Sequence, residues 1–108
     1  MPTHIQGVWD LTIVTPIGRV RPVVELGLQD GKLVGTARGA GENLPLRDIV
    51  LDGDRLTWKQ SVTRPVRLDL TFTVTVEGDT LIGTSRAGRL PASKVTGRRR
   101  RGDEAEPA

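Results

Sequence analysis

The chain of 108 residues contains no cysteine, no tyrosine, one histidine and three aromatic side chains. The lack of cysteine excludes disulfide bonds, thiol catalysis and thiolate metal sites. It is typical of proteins in a reducing cytoplasm, where we expect this chain to work. A single histidine leaves almost no material for a Ser-His-Asp triad or a zinc site. The composition therefore predicts no metal and no cofactor.

Long apolar runs are also missing. No segment approaches the ~18 consecutive apolar residues that a membrane helix needs, and residues 1–10 lack the basic start and apolar stretch of a secretory signal. A P-loop, a dinucleotide-binding fingerprint and a nucleophile elbow are likewise missing from the sequence. The lack of a long apolar run predicts that the chain has no membrane partner.

Neither sign of charge dominates over most of the chain. The formal net charge is +3, and residues 1–97 are nearly balanced, whereas Arg98 to Arg101 form a basic run that Asp103, Glu104 and Glu106 follow. Adjacent arginines can bind phosphates, but proteins that bind nucleic acids usually add aromatic stacking platforms. We therefore expect a solvated end and no nucleic-acid partner. The expected organisation is a flexible N-terminus at 1–6, a β-barrel domain at 7–98 and a disordered charged tail at 99–108.

Apolar and polar residues alternate with a period of two along most of the chain, which is typical of β-strands with one buried face. Turn residues, mostly glycine with aspartate, separate the alternating segments every 8–12 residues. The pattern predicts eight strands, at 7–14, 19–29, 32–38, 44–51, 55–62, 66–76, 80–86 and 89–98. In the fourth of these the apolar parity changes, which predicts a β-bulge near Arg47 and Asp48.

Short connections leave no room for crossover helices, so each strand should pair antiparallel with the strand before it. An eight-stranded antiparallel up-and-down β-barrel removes the exposed sheet edges, and this all-β, single-domain fold is the prediction. A two-sheet sandwich is the alternative, although its crossings usually need one longer connection.

The first and the last predicted strands carry residues that suggest a family. Gly7-Val8-Trp9 forms a G-x-W motif on the first strand, and Arg98 ends the last one. In these features the chain resembles the calycin superfamily, which contains the lipocalins, the fatty-acid-binding proteins and the avidins. The resemblance implies that Trp9 forms the floor of the closed barrel end and that Arg98, or Arg99, covers it through a cation–π contact. The chain departs from lipocalins in lacking the T-D-Y motif and a helix after the barrel, and the lack of tyrosine argues against an avidin-like biotin site.

The candidate ligand-binding residues are Trp58, Gln60 and Phe72, which the alternation places on the inner face. Gln60 is a polar residue between apolar ones, and it could orient a ligand in an apolar pocket. It could equally be a buried amide with protein partners, or a residue at the barrel mouth in contact with water. Trp58 and Phe72 could contact the ligand or simply fill the core.

Three functions follow from this fold. The leading hypothesis is a cytoplasmic calycin-like barrel that binds a small, largely apolar molecule. The alternative is a cofactor-free enzyme of the isomerase or cyclase type, in which Glu42 or Asp48 would act as a base. A third is a homo-oligomeric structural module that pairs through outward-facing Val8, Val14, Val23, Val34 and Ile82. Because no pair of inward titratable groups is evident, the sequence favours binding.

Overall fold

The computed structural model describes residues 5–15, 18–39, 42–62, 68–88 and 90–100. They form ten strands: β1 (Gly7–Thr15), β2 (Gly18–Val20), β3 (Val23–Gln29), β4 (Lys32–Gly39), β5 (Glu42–Pro45), β6 (Arg47–Asp52), β7 (Arg55–Val62), β8 (Leu68–Glu77), β9 (Thr80–Ala87) and β10 (Ser93–Arg99). They pair antiparallel in the order β5-β4-β3-β1-β10-β9-β8-β7-β6, and β2 also pairs with β1. The predicted all-β, single-domain antiparallel barrel is confirmed, nearly closed and with ten strands rather than eight. In these ranges no helix is long and apolar enough to cross a membrane.

One of the two additional strands arises because the predicted strand 19–29 is interrupted. It forms β2 and β3, and both segments pair with β1. Pro22 lies in the gap and has no amide hydrogen to donate to a ladder. Its carbonyl instead accepts a hydrogen bond from the backbone nitrogen of Leu11 at 3.0 Å. The interruption therefore costs the sheet little pairing.

The other additional strand arises at the place where the barrel closes. The predicted strand 44–51 divides at Leu46 into β5, which pairs with β4, and β6, which pairs with β7. The backbone nitrogen of Leu46 still donates to the carbonyl of Gly35 at 2.9 Å, while the next residue, Arg47, already pairs with Lys59. One continuous stretch of chain thus joins the two ends of the sheet.

The predicted β-bulge is confirmed in this stretch. The register of β6 against β7 shifts between Arg47 and Val50, and Asp48 has a φ of 51°. An extra residue at this point reverses which side of the strand faces inward. The bulge accounts for the change of apolar parity in the sequence.

The barrel interior is filled by the inner faces of the strands. Trp9 and Leu11 of β1, Leu56 of β7, and Phe72 and Val74 of β8 are each at most 1% exposed. Alternate residues along these strands point outward, as expected for a sheet with one buried face. The packed core occupies the half of the barrel next to Trp9.

The core begins earlier in the chain than the predicted boundary at residue 7. Ile5 lies within the segment predicted to be flexible, and it is fully buried. At the other end, Arg99 is the last residue of β10, and Arg100 forms two hydrogen bonds of 2.9 Å with Asp10. These bonds, with the attraction between the two charges, raise the pKa of the Arg100 guanidinium above its ordinary value. Residues 1–4 of the predicted flexible segment and 101–108 of the predicted tail lie outside the described residues.

Candidate ligand-binding site

The closed end of the barrel is built around Trp9. Its ring is fully buried, and its indole nitrogen donates a hydrogen bond to the carbonyl of Ile5 at 3.0 Å. The guanidinium carbon of Arg99 lies 4.5 Å from the centre of the ring. Arg99 also donates to Asp79 Oδ1 at 3.0 Å and to the carbonyl of Gln6. These contacts hold the guanidinium over the ring face, which is the arrangement of a cation–π contact.

The arginine over Trp9 is therefore Arg99 and not Arg98. The pairing of β1 with β10 sets Trp9 opposite Arg99 and Asp10 opposite Arg98. Directly opposed residues share one face of a sheet, so Arg99 shares the face of Trp9, while Arg98 lies on the other face and is exposed. The alternation of β10 carried this signal, because Val95, which is buried, has the same parity as Arg99.

The glycine of the G-x-W motif also faces this contact. Gly7 has a φ of +130°, a backbone conformation that residues with a side chain rarely adopt. A Cβ atom at this position would lie 3.6 Å from the aliphatic part of the Arg99 side chain. The space beside Arg99 would therefore accept a Cβ atom in ordinary contact, and it is the backbone conformation at this position that favours glycine.

The opposite end of the barrel holds a cavity of about 770 Å³. Its wall is mostly apolar and includes Ile13, Ala37, Leu44, Leu70 and Phe72. At the rim, the apolar side chains of Val14, Val20 and Leu90 are exposed, and the charged side chains of Arg19, Arg38 and Glu42 are also part of the lining. The barrel is thus packed at one end and hollow at the other.

Two buried polar side chains, Gln60 and Ser85, lie in the cavity wall, and each residue is only 5% exposed. Oε1 of Gln60 accepts a hydrogen bond from the indole nitrogen of Trp58 at 3.0 Å. Among the described residues, neither Nε2 of Gln60 nor the hydroxyl of Ser85 has a hydrogen-bond partner in the protein. Every fully buried side-chain nitrogen or oxygen in the described ranges does have one. Both atoms therefore lie at the surface of the cavity.

The structure brings two of the three predicted binding residues to the cavity. Gln60 and Phe72 line it. Trp58 lies behind them, is 1% exposed, and stacks on Phe72 with ring centres 4.8 Å apart and planes 8° from parallel. It thus contacts Gln60 and Phe72 without being part of the cavity lining. Ser85, which the sequence analysis missed, lies directly opposite Phe72 on β9, and the parity it shares with buried Leu81 was the available signal.

The carboxylates considered for catalysis are separated. Glu42 lines the cavity rim and is half-buried. Asp48 is exposed in the bulge of β6 and does not contribute to the lining. Within the described part of the chain, no group of three or more His, Cys, Asp or Glu side chains could hold a metal ion. The cavity thus offers hydrogen bonding to a ligand rather than a paired acid and base.

The outward valines considered for an oligomer surface are interrupted by charges. Val8 lies opposite Glu25 on β3, and Val23 lies opposite Asp10 on β1. Both valines are half-buried, whereas Ile82 on β9 is 54% exposed. A homo-oligomer interface usually has an apolar, charge-poor centre, and this face does not provide one around Val8 and Val23.

Comparison of the chain with protein-family models, with curated proteins and with solved structures finds no match. The geometry of the cavity is therefore the basis for a functional conclusion. Its three decisive features are its volume, its apolar wall and the two polar atoms at its surface.

Proposed function

We propose that this protein binds a small, largely apolar molecule in the cavity at the open end of its barrel. The observation that carries the proposal is an apolar cavity of about 770 Å³ with the buried side chains of Gln60 and Ser85 in its wall. Small-molecule sites typically enclose roughly 300–1,000 Å³, with mostly apolar linings and a few polar groups that fix orientation. A barrel interior without a binding role would usually be filled by side chains to the density of a protein core.

The closed end supports a calycin-like origin for the barrel as part of the same proposal. The G-x-W tryptophan and a last-strand arginine meet there, in Trp9 and Arg99. In such a barrel one end is sealed and the ligand enters at the other. A cytoplasmic location, which the lack of cysteine favours, belongs to the proposal too.

Titration with N-phenyl-1-naphthylamine, a neutral probe that fluoresces in apolar surroundings, tests the proposal. We expect saturable binding to the wild-type protein. Ala87 lines the cavity, so in Ala87→Phe the phenyl ring should occupy part of the space that the probe needs and weaken binding about tenfold or more. Thr84, an exposed residue of β9, provides the matched control.

Thr84→Phe adds the same ring on the outside of the same strand and should leave the dissociation constant within about twofold of wild type, as an exposed substitution away from the site. A wild-type protein that does not bind the probe would contradict the proposal. Equal affinities in wild type and Ala87→Phe would contradict it as well, since the probe would then bind elsewhere.

A further inference from the structure

The orientation of the Gln60 amide is fixed by its neighbour on the same strand. The indole nitrogen of Trp58 can only donate a hydrogen bond, so it must bond to the oxygen of the amide and not to its nitrogen. The contact in the structure is between Trp58 Nε1 and Gln60 Oε1, at 3.0 Å. Rotating the amide by 180° would set two donors against each other. The amide nitrogen, with its two hydrogens, is therefore the end that is left for the cavity.

Burial makes this orientation rigid. Trp58 is 1% exposed and stacked on Phe72, and Gln60 is 5% exposed. If the amide gave up its bond to Trp58, the buried indole nitrogen would be a donor without a partner, which is unfavourable. The site around Gln60 thus presents a fixed hydrogen-bond donor.

We infer that the ligand carries an uncharged oxygen acceptor, such as a ketone or ester carbonyl, which accepts a hydrogen bond from Nε2 of Gln60. This inference rests on the proposed function and specifies its ligand class. Nε2 is a donor without a partner among the described residues and lies at the surface of the cavity, so a ligand acceptor can bond to it without breaking another protein contact. Leu70, directly opposite Gln60, and Phe72 are apolar lining residues.

The apolar surroundings decide between a neutral acceptor and an anion. Transfer of a carboxylate into an apolar site is strongly unfavourable unless a cation accompanies it. Among the residues that the structure describes, the cations of the lining are Arg19 and Arg38, which are exposed at the rim, whereas Gln60 is buried. A neutral carbonyl at Gln60, with the apolar part of the molecule filling the cavity, satisfies both observations.

Two probes of nearly equal size test the inference: 2-acetonaphthone, which has a ketone, and 2-ethylnaphthalene, which has no acceptor. Each displaces N-phenyl-1-naphthylamine, and the measured quantity is the ratio of the hydrocarbon's dissociation constant to that of the ketone. In Gln60→Met, which keeps the length of the side chain and removes the donor, we expect this ratio to fall about tenfold relative to wild type. Because the ratio is compared between proteins, the different solubilities of the two probes cancel.

Lys59→Met is the matched control, because Lys59 is the preceding residue of β7 and faces outward. It should leave the ratio unchanged. Trp58→Phe removes the group that orients the amide while Gln60 stays in place, so this variant should also lower the ratio. In addition, the carbonyl stretching band of bound 2-acetonaphthone should move to higher frequency in Gln60→Met as the hydrogen bond is lost.

The outcomes separate this inference from the proposed function. If the wild-type protein binds both probes and Gln60→Met leaves their ratio unchanged, the assignment of the acceptor is wrong and the cavity is still a binding site. If Lys59→Met lowers the ratio as much as Gln60→Met, the assignment is wrong too. If N-phenyl-1-naphthylamine itself does not bind to the wild-type protein, so that there is nothing to displace, the proposed function is wrong.

Discussion

Arg99 combines more interactions than any other charged residue described at the closed end. Its guanidinium covers Trp9 and donates to Asp79, to the carbonyl of Gln6 and to that of Gly78. The side chain is only 19% exposed, so these bonds are partly shielded from water. A cation–π contact and hydrogen bonds of a charged donor are stronger when they are desolvated.

We expect Arg99→Ala to lower the free energy of unfolding by about 2–3 kcal/mol, the sum of a partly buried cation–π contact and one or two hydrogen bonds. Urea unfolding followed by tryptophan fluorescence measures the change. Arg98→Ala is the control for the loss of one positive charge from the same strand, and it should change stability by no more than about 0.5 kcal/mol, as an exposed substitution. Equal losses in the two variants would show that charge, and not the contact with Trp9, matters.

The choice between these two arginines illustrates what residue-level prediction can achieve. The sequence analysis named Arg98 first because it lies at the end of the expected strand. The strand continues by one residue, and the side that faces Trp9 is set by register. Parity within β10 already distinguished the two positions, but the pairing partner of Trp9 depends on how two distant strands align, which alternation alone does not fix.

The two consecutive strands β5 and β6 lie at opposite ends of the strand order. β5 pairs with β4 and β6 pairs with β7, so a single bent stretch of chain connects the two ends of the nearly closed barrel. The bend needs the bulge, in which Asp48 adopts a φ of 51°. Aspartate tolerates this region better than most residues, while a β-branched side chain does not.

We expect Asp48→Val to lower the free energy of unfolding by about 1–2 kcal/mol, because valine is strained at positive φ. Asp52→Val, at an exposed position near the end of the same strand and outside the positive-φ region, removes the same charge and should have an effect below about 0.5 kcal/mol. Thermal unfolding followed by circular dichroism compares them. If Asp52→Val destabilises the protein as much as Asp48→Val, the backbone conformation of the bulge is not the cause.

Alternation and turn residues predicted most of these elements. The hairpin at Asp30 and Gly31 has φ values of 52° and 78°, as expected for a type I′ turn. The change of parity after Leu46 located the bulge. The division of the predicted strand 19–29 was not foreseen, because Pro22 interrupts hydrogen bonding without interrupting the alternation of side chains. The division at Leu46 was not foreseen either, because it depends on which distant strands the two halves pair with.

At the scale of the whole molecule, the contrast between a packed end and a hollow end determines what the protein can do. The inner face of each strand is mostly apolar along its length, so alternation alone predicts one continuous core. The cavity depends on how many large side chains meet at each level of the barrel. Trp9, Trp58 and Leu56 fill one half, whereas small residues such as Ala37 and Ser85 lie at the other. This distribution is a property of the assembled strands and cannot be read from any one of them.

Binding in the cavity should stabilise the whole barrel, because its wall includes residues from both ends of the sheet, Leu44 of β5 and Gln60 of β7 among them. A ligand that binds only the folded state raises the free energy of unfolding by RT ln(1 + [L]/Kd), which is about 1.4 kcal/mol at a free concentration ten times Kd. With N-phenyl-1-naphthylamine at that concentration, the midpoint of urea unfolding should therefore rise by about 1 M, given the slope expected for a small domain.

The same probe concentration should move the midpoint of Ala87→Phe by much less, because the cavity of that variant is partly filled, while Thr84→Phe should respond as wild type does. This comparison separates the cavity from the exposed apolar rim, since all three proteins keep Val14, Val20 and Leu90. An equal rise in all three proteins would place the probe on the rim or elsewhere on the surface. The midpoint of wild type could also fail to rise although the probe is bound. The probe would then bind the unfolded chain as tightly as the folded barrel, and its binding would not depend on the cavity.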